Sequence, residues 1–281
     1  MSAKRITGSF VAIITPFNKD GSVDFEAFRS LLKFHQDNGT AAMPIFYGCT
    51  GNNTDSTIAN VKFAKDNGAD GAILAAPAYI CAPEADIEGF FLDIADATDL
   101  PLGIYNNPPR VKSDLNWDHL LRIFKHPNYV IHKESTARVG QVAQVLAGKP
   151  TVSVMCCDSP NLGLVVPTMS LGGHGTANMT GNLAPAELAT ISKPWTSYAE
   201  AEGFKNAYLG LLPLLHYTYS AINPVAVKSL MKAVGLPAGD LRKPLTGLEG
   251  EALAKGVRII QELGLDKKYG YRVKPLSAVA A

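Results

Sequence analysis

Short apolar runs alternate with longer stretches of helical periodicity from the N-terminus to about residue 180. Several of the runs are almost continuously apolar, which is typical of parallel strands covered on both faces. The alternation predicts βα units wound around a parallel sheet, in the manner of a TIM-type (β/α)8 barrel. The predicted strands are residues 9–15, 41–48, 71–76, 102–105, 129–133, 151–156 and 175–180.

The stretches between the predicted strands carry apolar residues three or four positions apart, as core-facing helices do. We expect Thr54 and Asp114 to serve as helix N-caps. After Ala186 only helical patterns follow, and no linker-like segment interrupts the chain. We therefore predict a barrel over residues 1–185 and C-terminal helices over residues 186–281, packed together as one structural unit.

Composition excludes some classes of partner. The 26 basic and 25 acidic residues are interspersed and give a net charge of +1, so the basic surface of a nucleic-acid-binding protein is not expected. We also expect no membrane contact, because no apolar run reaches the length of a membrane span. The four cysteines and six histidines lack the spacing of metal ligands, and none of the histidines has a paired acid, so the histidines are expected to be structural. Reduced thiols, a cytoplasmic location, no metal and no cofactor are therefore expected.

Lys133 stands where an apolar strand ends, and strand ends are where the catalytic side chains of parallel barrels lie. Side chains alternate along a strand, so Lys133 shares a face with Ile131. If Ile131 fills the barrel, Lys133 points into its mouth, where an amine can attack a carbonyl. A lysine at a strand end also commonly extends into water, and the residue alone does not decide between the two.

One strand earlier, Tyr105 ends a strand and a proline-stiffened loop then presents Arg110. A tyrosine can relay protons, and an arginine can hold a carboxylate through two hydrogen bonds. Taken singly, the tyrosine fits core packing and the arginine fits an exposed surface. Together with Lys133 they form a consistent set of nucleophile, proton carrier and carboxylate ligand.

The same segments resemble the dihydrodipicolinate synthase and N-acetylneuraminate lyase superfamily of class I, Schiff-base lyases. The resemblance runs through the chain in order. It covers residues 8–17 (GSFVAIITPF), 67–79 (NGADGAILAAPAY), 105–115 (YNNPPRVKSDL), 130–137 (VIHKESTA), 172–185 (GGHGTANMTGNLAP) and 223–245 (NPVAVKSLMKAVGLPAGDLRKPL).

The resemblance implies that Lys133 forms a Schiff base and that Tyr105 carries protons. It also implies that Arg110 binds the carboxylate of an aldehyde substrate, as in the synthase branch. Tyr79 corresponds to a tyrosine that in synthases reaches across a dimer interface into the partner's site, where it is expected to contact the substrate. Ala177 stands near the bound pyruvate, where synthases carry a larger aliphatic residue, and the second substrate therefore stays open. A homo-oligomer, either a dimer or a tetramer, is expected.

One family feature is absent from its expected place, a Gly-Thr-Thr-Gly-Glu type motif at the end of the second strand. The stretch 48–52 (GCTGN) resembles it, but its distance from Gly71 fits the third strand of the family. A closed barrel needs eight strands and seven are predicted. One αβ segment of roughly thirty residues is therefore expected to be missing near Met43. Thr50 is the candidate substitute for the missing hydroxyl.

Three functions remain open. The leading one is condensation of pyruvate with an aldehyde such as aspartate semialdehyde, a step of lysine biosynthesis, through a Schiff base on Lys133. A second is aldol cleavage or dehydration of a 2-keto-3-deoxy sugar acid by the same lysine, which Ala177 keeps open. A third is an inactive barrel that binds a keto acid, which the missing motif favours.

Overall fold

The structure is a computed structural model that describes residues 5–38 and 44–273. Within these ranges seven strands are present, as the apolar runs predict, although most are shorter than expected. The first residues of the predicted strand at 41–48 lie outside the described part of the chain. The strands are β1 (Gly8–Val11), β2 (Phe46–Gly48), β3 (Gly71–Leu74), β4 (Leu102–Asn106), β5 (Tyr129–Glu134), β6 (Ser153–Cys156) and β7 (Gly175–Asn178).

All six pairings between neighbouring strands are parallel, and the order across the sheet is β1-β7-β6-β5-β4-β3-β2. In the described ranges β1 and β2 thus occupy the two edges and form no ladder with each other. The sheet is a barrel open along one seam. Across that seam the rings of Phe10 and Phe46 make an edge-to-face contact, with centroids 5.7 Å apart.

The inner face of the sheet carries a small apolar cluster of its own. Ile131, Met155 and Ala177 are buried there, and Phe10 and Phe46 pack against them. The outer face joins a much larger core that the helices complete. These side chains fill the floor of the barrel and leave its upper rim for polar groups.

The helices that follow the strands on the outside of the sheet are α1 (Phe25–Asp37), α2 (Thr54–Asp66), α3 (Glu84–Asp96), α4 (Pro108–Val111), α5 (Trp117–Ile123), α6 (Val139–Ala147) and α7 (Val165–Ser170). Two capping predictions are wrong. Asn53, rather than Thr54, caps α2 by accepting the N–H of Ser56. The N-cap of α5 is Asn116, because Asp114 accepts a hydrogen bond from Asn106 instead.

Between residue 186 and the end of the described chain at residue 273 only helices are present, as expected. They are α8 (Pro185–Ile191), α9 (Tyr198–Thr218), α10 (Val225–Ala233), α11 (Gly250–Glu262) and α12 (Leu265–Tyr269). Helix α9 begins with a capping box between Ser197 and Glu200. Helix α10 is buried almost all round and is tied to the loop after β1 by a hydrogen bond from Lys228 Nζ to the carbonyl of Thr15. The division of the chain at residue 185 stays a prediction.

Candidate active site at the mouth of the barrel

Lys133 and Tyr105 face each other on the inner side of the sheet. Strands β4 and β5 are in parallel register, and their pairing sets Tyr105 beside Lys133. The ammonium nitrogen of Lys133 lies over the phenol ring, 4.1 Å from its centroid. Both side chains are half-buried. The structure thus brings the predicted amine and the predicted phenol together, whereas their catalytic roles stay predictions.

The phenol oxygen of Tyr105 has a partner that the sequence did not suggest. The side-chain amide of Asn107 donates a hydrogen bond to this oxygen. Asn107 is buried at the start of α4, where Pro108 occupies the first helical position. This hydrogen bond restrains the hydroxyl of the phenol that lies beside the lysine, so Asn107 belongs to the candidate site.

On the opposite face of β5, Glu134 is fully buried and collects four hydrogen bonds. The donors are the side chains of His132, Gln141 and Asn106 and the N–H of Ser135, at distances of 3.2, 2.9, 3.3 and 3.0 Å. Burial acts to raise the pKa of Glu134. The hydrogen bond and charge of His132, together with the Gln141 amide, outweigh it and hold the pKa below its usual range. An ionised, fully bonded carboxylate therefore fixes the strand that presents Lys133.

This network corrects one inference from the sequence, which found no acidic partner for any histidine. His132 pairs with Glu134, and His119 pairs with Glu88 at 2.6 Å. The signal for the first pair was present, because residues two apart in a strand share a face. The second pair joins two helices that are distant along the chain.

The other predicted site residues lie in three different settings. Arg110 is exposed on α4, directly after the strand of Tyr105. Ala177 is buried in the inner cluster and pairs with Phe10 of β1. The Thr50 hydroxyl accepts the N–H of Ala75 at 2.8 Å, and Thr50 is exposed. Tyr79 is 90% exposed in a left-handed conformation, with φ of 74°.

One cluster among the described residues has metal-like donor geometry. Glu84, Asp118 and His119 place one donor atom each within 4.8 Å of one another. His119 is already engaged by two glutamates, and Arg122 pairs with both Glu88 and Asp118. Internal ion pairs thus account for this cluster, and no reaction step is assigned to it.

The fold and the site together define a class: a parallel α/β barrel that pairs a lysine with a tyrosine on its inner face. The model of the dihydrodipicolinate synthetase family matches residues 5–52 and 41–263, so the chain belongs to that family. No helix in the described ranges combines the length and apolarity that crossing a membrane requires.

Curated relatives extend over almost the whole chain. The 4-hydroxy-tetrahydrodipicolinate synthase of Syntrophotalea carbinolica is 31% identical over 294 residues, covering 92% of this chain and 98% of the relative. The synthase of Ralstonia nicotianae is 28% identical, covering 93% and 99%. Among solved structures, dihydrodipicolinate synthase from Acinetobacter baumannii, complexed with pyruvate, has a TM-score of 0.82. It is 27% identical, with 92% of this chain and 99% of that chain covered.

The comparisons also bear on the missing segment. The alignment with the Ralstonia relative is 294 positions long, but it includes only 93% of the 281 residues of this chain. About thirty positions of the alignment therefore have no residue of this chain, which is the size of one βα unit. The two matches to the family model overlap at residues 41–52, the stretch that contains Thr50. Both findings agree with the open seam between β1 and β2.

Proposed function

We propose that this chain is a Schiff-base synthase that condenses pyruvate with an aldehyde, as its relatives' name implies. One observation carries the proposal: the Lys133 amine lies 4.1 Å from the centre of the Tyr105 ring on the inner face of the barrel. A lysine and a phenol in this relation can perform imine chemistry without any group from outside the chain.

The steps follow from the two side chains. The unprotonated Lys133 amine adds to the keto carbon of pyruvate and forms a C–N bond. The former carbonyl oxygen then leaves as water, and Tyr105 transfers protons to and from it. Loss of a methyl proton from the imine gives an enamine, whose carbon attacks the aldehyde carbon while the aldehyde oxygen takes up a proton. Water then hydrolyses the re-formed imine, which breaks the C–N bond, releases the product and frees the Lys133 amine. Because Asn107 donates to the phenol oxygen, it holds Tyr105 in the orientation that these transfers need.

The finer assignments are part of the same proposal. Arg110 stands close along the chain to Tyr105 and binds the carboxylate of an aldehyde such as aspartate semialdehyde. Ala177 borders the pyruvate methyl group, and Thr50 replaces the missing family hydroxyl. Tyr79, 90% exposed in one chain, is covered by a second copy in a dimer or tetramer. We place the enzyme in the cytoplasm, in lysine biosynthesis.

Trapping tests the proposal directly. The full chain is incubated with pyruvate and reduced with borohydride, and the modified peptide is located by mass spectrometry. We expect one adduct at Lys133, its loss in Lys133→Gln, and slower formation in Tyr105→Phe. Lys205→Gln is the control, because Lys205 is exposed on α9, outside the barrel mouth. Folded protein that gives no adduct would refute the proposal.

Two alternatives rest on specific observations. The small Ala177 leaves more room than a larger aliphatic residue, which favours a longer 2-keto-3-deoxy sugar acid. The roughly thirty unmatched positions favour a barrel that binds a keto acid without turnover. An assay with pyruvate plus aspartate semialdehyde measures the proposed condensation. An assay with a 2-keto-3-deoxy sugar acid measures the alternative activity. Binding of pyruvate without a covalent adduct supports the barrel that binds a keto acid without turnover.

A further inference from the structure

A second charged site lies away from Lys133, between the loop after β1 and helix α10. It is a cavity of about 1100 Å³. Its walls include Phe17 from the loop after β1, Lys228 and Lys232 from α10, and Asp240 and Arg242 from the segment that follows α10. Neither Lys133 nor Tyr105 is among the described residues that line it. The cavity is therefore distinct from the candidate active site.

Two cations meet on one aromatic ring in this cavity. The Lys228 ammonium lies 4.6 Å from the centre of the Phe17 ring, and the Arg242 guanidinium lies 4.0 Å from it. Lys228 is 3% exposed, so its charge is removed from water. Burial, opposed by the charge of Asp240 and assisted by the charges of Arg242 and Lys232, lowers the pKa of Lys228 to about 8.

The hydrogen-bond partners of these cations are neutral. Lys228 donates to the carbonyl oxygens of Thr15 and Asp240, at 2.8 and 2.7 Å. Arg242 donates to the carbonyl oxygen of Gly21 through Nε and Nη2, at 3.1 and 2.8 Å. Carbonyl dipoles solvate a cation but do not cancel its charge, which is costly for the buried Lys228, whereas Arg242 is exposed.

Two of the three carboxylates that line the cavity are already engaged by groups beside them. Asp240 pairs with Lys232 at 2.5 Å, and this contact lowers the pKa of Asp240. Asp20 accepts the N–H and the hydroxyl of Ser22 within its own turn. The lining includes five basic and three acidic residues, and these are Lys19, Lys228, Lys232, Arg242 and Lys243, and Asp20, Asp240 and Glu249. The described lining thus carries an excess of two positive charges.

The walls of the cavity are held together before any ligand binds. The N–H of Asp240 donates to the carbonyl of Phe17 at 3.0 Å, and Arg242 joins the chain near Gly21. Gly239 has φ of 64°, and a Cβ there would collide with the Phe17 backbone. Such a rigid arrangement reduces the ordering cost of binding.

We propose that this cavity binds a small doubly charged oxyanion, whose two charges match the excess on the wall. Arg242 and Lys228 are its main ligands. A phosphate and a dicarboxylate share this chemistry, because both present oxygen acceptors to a guanidinium and an ammonium. The volume exceeds what inorganic phosphate needs, so the natural ligand is a metabolite that carries the group.

Binding is measured on the full chain by calorimetry and by thermal unfolding, with inorganic phosphate and succinate as probes and sodium chloride at matched ionic strength. We expect saturable binding of at least one dianion and a rise in Tm that chloride does not reproduce. Arg242→Gln should weaken binding about tenfold or more, because a charge-assisted hydrogen bond is lost. Lys205→Gln, which removes an exposed charge elsewhere, should bind as the parent chain does.

Lys228→Met removes the buried cation and should also weaken binding of the dianion. If this variant does not fold, Arg242→Gln alone tests the proposal. Tighter binding of phosphate indicates a phosphate-bearing ligand, and tighter binding of succinate indicates a dicarboxylate. Equal effects of chloride and the dianions, or unchanged binding in Arg242→Gln, would overturn the proposal. Borohydride trapping at Lys133 reports on the other site, so the two proposals fail independently.

Discussion

Removing the Glu134 carboxylate is the sharpest test of how the barrel holds Lys133. Glu134→Ala takes away the only carboxylate that His132 contacts in the described structure, and it leaves Gln141, Asn106 and the Ser135 N–H without their acceptor. These groups lie on or next to the outer face of β5, and Lys133 lies on its inner face. The substitution therefore loosens β5 without touching the inner face.

The magnitude follows from burial. Glu134 is 0% exposed, so water cannot replace the lost oxygens without entering the core. Unsatisfied buried donors cost about 1–3 kcal/mol each before relaxation, and the substitution leaves several of them. We expect a loss of about 4 kcal/mol in the free energy of unfolding. Glu134→Gln keeps the volume and one acceptor, and should lose roughly half as much.

Urea unfolding, followed by circular dichroism, measures both variants at pH 7. Pyruvate trapping under native conditions then shows whether the remaining folded protein still labels Lys133. We expect slower labelling in both variants, with Glu134→Gln nearer the parent chain. A Glu134→Ala protein within about 1 kcal/mol of the parent, labelled at an equal rate, would refute the supporting role of this network.

Two further predictions concern stability. Burial lowers the pKa of His35 to about 4, so between pH 6.5 and 4 the unfolded chain takes up a proton that the folded chain refuses. Stability should therefore fall by up to about 3 kcal/mol as the pH drops through that window, and His35→Gln should flatten the dependence measured by urea unfolding. Gly256→Ala drives a Cβ into the ring of Tyr217 and should cost about 1–3 kcal/mol by thermal unfolding. Gly203→Ala, in a helix with open space around it, should instead gain about 0.5–1 kcal/mol, and equal effects would contradict the packing argument.

The strands were predictable because their pattern is local. A buried parallel strand favours apolar side chains on both faces, and several of the seven runs have them. Their ends were less predictable. The first run continues to Thr15 in the sequence, whereas β1 ends at Val11, because hydrogen bonding to a neighbouring strand sets the boundary.

The core of the candidate site was predictable for the same reason. Alternation along β5 places Lys133 with Ile131, and consecutive parallel strands place Tyr105 beside it. Asn107 escaped prediction, because an asparagine after a strand end carries no signal that its amide will reach a phenol. Arg110, Ala177, Thr50 and Tyr79 are located by the structure, but their roles await the experiments above.

By itself, the sequence determined a parallel α/β barrel of seven strands and placed Lys133 and Tyr105 at the ends of two of them, whereas the strand register that sets them side by side came from the structure. Only the tertiary structure decided that the seam lies between β1 and β2, that Glu134 is ionised within a closed network, and that Lys228 and Arg242 share one ring. Periodicity is a property of neighbours in the chain. Charge energies depend instead on distance and on exclusion from water, and packing alone sets both for residues as far apart as Phe17 and Arg242.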